Sequence, residues 1–129
     1  MNAKSSMVNL LGKLNRVDKS YQDYLIVINT ASGIYKAEFA YFFDDVIADI
    51  RYNNNKEFDV DVSLVEKVFK HADSVEVNDI FENNYNQDVV ILQNVEHTSG
   101  LDYVAFHRQL LMFIDQIITI TLEKKTIIA

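Results

Sequence analysis

The sequence predicts a mainly α-helical domain, a bundle of four or five helices spanning residues 1–129 as one unit. Three observations carry that expectation. Apolar residues recur at steps of three and four along most of the chain, glycine- and asparagine-containing breaks separate the periodic stretches, and serines stand where helix caps are wanted. A small two-stranded β element near residues 56–62 and 88–95 is the one exception, and an α+β domain with those segments paired is the alternative.

Residues 5–30 carry the first helical period. Met7, Leu10, Leu11, Leu14, Val17, Tyr21, Leu25 and Ile28 form its stripe, Ser5 or Ser6 caps the start, and Gly33 follows the end, where a left-handed residue closes a helix. The β-branched run Ile26-Val27-Ile28 is its weak point, since it also suits a short strand. Residues 34–52 repeat the signal through Phe39, Phe42, Phe43, Val46, Ile47 and Ile50, and Asn53-Asn54-Asn55 ends it. Phe42 and Val46 are expected to be buried. Acid and apolar residues then alternate in Glu57-Phe58-Asp59-Val60-Asp61-Val62, a strand pattern. Ser63 and Glu66 make a capping box ahead of Leu64, Val65, Val68, Phe69 and Ala72.

Residues 74–97 read both ways. Phe81, Tyr85, Val89, Leu92 and Val95 fit a helix, while Val89-Val90-Ile91-Leu92 fits a buried strand. Thr98-Ser99-Gly100 is a loop, and Ser99 with Asp102 resembles a capping box. Leu101, Val104, Leu111, Ile114 and Ile118 then line a final helix that weakens at Ile118-Thr119-Ile120-Thr121.

Composition narrows the function classes. Apolar residues make up 49% and charged residues 24%, as in a globular domain rather than a disordered chain. The absence of cysteine removes disulfides, thiolate catalysis, zinc–thiolate sites and iron–sulfur clusters. Three glycines cannot build a phosphate-binding loop. Residues 1–20 show no long apolar run and no small-residue cleavage site. No apolar run exceeds five residues, as in Leu110–Ile114, far short of the ~18 residues that span a bilayer. These features point to a soluble cytoplasmic chain without a membrane association.

The net charge of −7 is unevenly placed. Between Lys70 and Arg108 there is no base, while Asp73, Glu76, Asp79, Glu82, Asp88, Glu96 and Asp102 are all acidic. The remainder of the chain is neutral. Such a segment repels nucleic acid and draws in cationic surfaces, so direct nucleic-acid binding is not expected.

Catalytic constellations are thin. His71, His97 and His107 lie outside any HExxH pattern and at no metal-ligand spacing, and no GxSxG elbow occurs. Glu57, Asp59 and Asp61 would share one side of a strand and could hold a divalent cation, though such alternation also serves to guard a strand edge. No enzyme activity, cofactor or metal is expected. On the second helix, Tyr41, Asp45, Asp49 and Tyr52 would share the face opposite the core stripe, two tyrosines flanking two aspartates. Tyrosine gives contact area at low entropic cost, so this face and the acidic residues Asp73, Glu76, Asp79 and Glu82 are the candidate partner-binding residues.

The profile is similar in general character to stoichiometric inhibitors: immunity proteins, antitoxins and phage-encoded inhibitors of nucleases. It implies a basic protein partner, such as a nuclease toxin, whose active-site cleft an acidic surface would block. The alternative is a non-catalytic structural protein that forms a homodimer through its amphipathic helices.

Overall fold

The computed structural model describes residues 3–42 and 88–125, and they form a five-stranded antiparallel sheet with one helix on its face. A helix, α1 (Ala3–Val17), leads through a 3-10 turn at Lys19–Tyr21 into β1 (Tyr24–Thr30) and β2 (Gly33–Tyr41). Then come β3 (Val89–Ser99), β4 (Tyr103–Phe113), a 3-10 turn at Ile114–Gln116 and β5 (Ile117–Lys124). The strand order is β4-β3-β2-β1-β5.

The helical bundle is therefore overturned. The predicted helix over 5–30 ends at Val17, and its weak point Ile26-Val27-Ile28 is the middle of β1. Residues 34–41 of the predicted second helix are β2, and residues 101–118 of the last one are largely β4 and the start of β5. Residues 89–95 are strand, but β3 has β2 on one side and β4 on the other, so it is not the partner of 56–62 in a two-stranded element. The expectations for 56–62 and 63–72, and for Val46, lie outside the described residues.

Two hairpins explain the short connections. Ala31 and Ser32 turn β1 into β2, and Gly100–Asp102 turns β3 into β4, in place of the expected capping box. Gly100 takes φ +65°, which suits glycine at an open turn. Gly33 follows the first turn at φ +135°.

The sheet is rolled, not flat. Phe113 lies level with Val89 at one end of the sheet, whereas Ile117 pairs with Thr30 at the other end and across the opposite edge. On a flat sheet those corners would stand roughly 40 Å apart, but the connection can reach only about 14 Å. Only strong curling brings them together. The bend leaves a trace in the side-chain phase. Inward residues run Ala37 then Ala40 on β2, and Leu92 then Val95 on β3, steps of three where a flat strand needs two. The rungs Glu38–Asn94 and Asn94–Arg108 drop out of otherwise unbroken registers, and Asn94 adopts φ +53°. Asparagine tolerates that left-handed conformation better than most residues.

The core joins one face of the strands to α1. Val8, Ile26, Ile28, Ala37, Ala40, Phe42, Val90, Leu92, Val95, Met112, Ile114 and Ile117 form a single buried cluster. Phe42 is buried as expected, though at the end of a strand and not on a helix. The helix turns an unexpected side inward: Ser5, Val8, Gly12 and Asn15 are buried, while Met7, Leu10 and Val17 of the predicted stripe are exposed. Small residues at positions 5 and 12 suit a close approach of the helix to the sheet.

Asn15 anchors the end of α1. Its Nδ2 donates to the carbonyls of Tyr21 at 3.1 Å and Tyr24 at 2.9 Å, so one side chain holds both the 3-10 turn and the start of β1. Its Oδ1 is buried without a partner among the described residues. Asn15→Ala should cost about 1–3 kcal/mol in chemical denaturation, the usual penalty for carbonyls left unsatisfied. An unchanged midpoint would show that solvent replaces these bonds.

Candidate functional surface

Two surfaces stand out. One is the outer face of the rolled sheet, an open concavity lined by Leu25, Lys36, Glu38, Asn94, Glu96, Phe106, His107 and Arg108. The other is the exposed apolar side of β4, which among the described residues pairs with β3 alone.

The outer face carries a mixed polar ladder. Asn94 Nδ2 donates to Glu38 Oε2 at 3.3 Å, across the rung where the strands change phase. Lys36 Nζ lies 3.3 Å from both carboxylate oxygens of Glu123, bridging β2 to β5 over the intervening β1. Both partners are substantially exposed, so the pair is worth about 0.5 kcal/mol or less. Glu123→Gln should leave thermal stability nearly unchanged, and any small loss should vanish in high salt. A drop of several degrees would mean that the pair organises the β1–β5 edge.

This face offers charges of both signs. Among the described residues no group of three histidine or acidic side chains is placed to hold a metal ion. No described helix is long and apolar enough to cross a membrane.

His97 has a defined position. Its ring stacks on Tyr35 with centroids 4.0 Å apart and planes 5° from parallel, and Tyr103 meets it edge-on at 5.7 Å. Its Nε2 lies 3.0 Å from the carbonyl oxygen of Ser32, so that nitrogen carries the proton and donates. The imidazole thereby ties β3 to the β1–β2 turn. That contact is a fastening between strand and turn.

β4 exposes a row of apolar side chains. Tyr103, Val104, Phe106, Leu111 and Phe113 are exposed along its eleven residues, with Phe106 at 76%, and Leu101 stands fully exposed in the turn before it. The strand has no proline or lysine, the residues that commonly blunt an edge. Sequence reading missed this surface because it placed residues 101–118 on a helix.

The predicted partner-binding residues are placed only in part. Tyr41 sits on β2, 3% exposed, with its hydroxyl donating to Gln93 Oε1 at 3.4 Å. It is not on an outward helical face. Asp45, Asp49, Tyr52, Asp73, Glu76, Asp79 and Glu82 lie outside the described residues, as do Glu57, Asp59, Asp61 and His71. The described residues carry eight acidic and eight basic side chains. The whole excess of seven negative charges therefore belongs to residues 43–87, the connection between β2 and β3. No family model, no curated protein and no solved structure matches the chain.

Proposed function

We propose that the protein is a non-catalytic binding domain that engages a basic protein and blocks it stoichiometrically. One observation carries the reading: a charge-balanced sheet interrupted between two neighbouring strands by a 45-residue connection that holds all the excess acid. Strands β2 and β3 are adjacent, so the connection leaves and re-enters the scaffold at one end of the sheet. A rigid scaffold that displays an insertion is a common arrangement for recognition. An acidic display speeds encounter with a cationic surface and competes with a polyanionic substrate for it. The lack of cysteine supports action in the reducing cytoplasm.

The test compares the full chain with a variant in which Asp73 and Asp79 become Asn and Glu76 and Glu82 become Gln. Each is used to recover partners from its native cells at low salt. The expected result is a basic protein recovered in equimolar amount by the native chain and weakly by the variant. Its activity should fall when the native chain is added back. Association should slow several-fold as salt rises past the point where exposed charges are screened beyond ~8–10 Å. Equal recovery by both chains, or association indifferent to salt, would overturn the reading.

A further inference from the structure

We propose that the concavity on the outer face of the sheet receives one arginine side chain of the basic partner, its guanidinium lying over the Phe106 ring and pairing with Glu96. The inference rests on the reading that the partner is basic, and it adds a fixed anchor on the scaffold, apart from residues 43–87.

The ladder brings the two groups together. Glu96 and Phe106 are direct partners between β3 and β4, so their side chains share one face of the sheet. Val95 points into the core, so its neighbour Glu96 points outward, and Phe106 with it. Both line a concavity of about 400 Å³, within the ~300–1,000 Å³ of sites that hold a ligand. Phe106 is 76% exposed, so most of its ring is open to a ligand. Directly opposite side chains stand ~4.5–5.5 Å apart at Cβ, close enough for one planar group to cover the ring and meet the carboxylate.

Glu96 lacks a cation. It is half-buried, and among the described residues it makes no hydrogen bond or ion pair. Lys36 stands directly across from it on β2, yet the Lys36 ammonium reaches over β1 to Glu123, 3.3 Å away. Arg108 is already engaged. His107 stands opposite Val95, one residue out of step with Phe106.

A carboxylate beside an open aromatic ring selects a guanidinium. That group is planar and weakly hydrated, so it stacks on the ring while its N–H fork donates to the carboxylate. A lysine ammonium is a point charge that serves one partner well and the other poorly. Leu25, on the same lining, offers an apolar surface to the methylene stem.

The probe is N-acetyl-arginine methylamide, titrated into the isotope-labelled full chain and followed by NMR. The expected Kd is ~1–10 mM, the weak affinity of a single side chain. Shifts should centre on Phe106 and Glu96. Phe106→Leu and Glu96→Gln should each weaken binding about two- to fivefold, the factor an exposed cation–π contact or ion pair supplies, with an unchanged circular dichroism spectrum. Glu123→Gln should weaken it too, because Lys36 then turns to Glu96. Equal binding of capped norleucine, or variants that bind as the native chain does, would overturn the proposal. Tighter binding of putrescine would also overturn it, by assigning the site to a small amine. Partner recovery keeps the two readings apart. A basic partner recovered equally by the native chain and the Phe106→Leu, Glu96→Gln double variant overturns the anchor and leaves the acidic connection standing. Arginine binding with no basic partner recovered overturns the earlier reading, and the anchor with it.

Discussion

Phe42→Ala should destabilise the protein by about 3–5 kcal/mol, the range found when a buried aromatic core site is emptied. Phe42 is 3% exposed and belongs to the cluster shared by all the strands and α1. It follows β2 directly and is the one aromatic side chain in that cluster. The loss should lower the melting temperature by roughly 10–20 °C for a chain of this size. Phe113→Ala is the control, because Phe113 is exposed and its truncation should change stability by about 0.5 kcal/mol or less. Equal effects at the two positions would contradict the packing described here.

Gly33→Ala should be nearly as damaging, by about 2–4 kcal/mol, through strain and collision together. The backbone at Gly33 takes φ +135°, a conformation closed to residues with a Cβ. An added methyl would also press on the Thr98 carbonyl oxygen, well inside contact distance, and sit 2.9 Å from His97 Nε2. Thr98 is the partner of Ile34 on β3, so the carbonyl cannot retreat without opening the β2–β3 ladder. The ring of His97 would have to leave both Tyr35 and the Ser32 carbonyl. Gly100→Ala provides the contrast. Gly100 has φ +65° but open space around it, so alanine there should cost only about 1 kcal/mol. Thermal unfolding of the two variants side by side would separate collision from backbone preference.

Why a sheet reads as helices in this sequence has a physical answer. Strands β1 and β3 are buried on both faces over Ile26–Ile28 and Val90–Gln93, so their patterns lose the alternation that marks a half-exposed strand. The phase switch then adds steps of three. Val89, Leu92 and Val95 look like one helical face, yet only Leu92 and Val95 share the core cluster, and they do so because the strand changes phase between them. Ala37, Ala40 and Phe42 on β2 produce the same imitation. The β-branched runs Ile26-Val27-Ile28 and Ile118-Thr119-Ile120-Thr121 were the legible signals, and each falls inside a strand. The start of α1 was legible from its serines and leucines, but not its orientation, since the side facing the sheet is chosen for small size rather than for hydrophobicity. Tyr41 was misassigned through the same false period. The β4 edge was hidden for a further reason: whether a strand is internal or terminal in a sheet depends on pairings made far away in the chain.

The position of β5 has a consequence for how the protein is made. β5 covers the edge of β1, and its pairs join residues more than ninety positions apart, Ile28 with Ile120 and Val27 with Thr121. On the ribosome, β1 emerges before β5 and gains β2 at once, but its second neighbour follows some ninety residues later. At ~5–20 residues per second, the interval between the two is roughly 5–20 s. Throughout it, the nascent chain presents Ile26-Val27-Ile28 along an open backbone edge, a template for unwanted pairing with other nascent chains. Closure of the roll thus waits for β5 to emerge, and a chain stalled before Ile117 would be a ligand for chaperones.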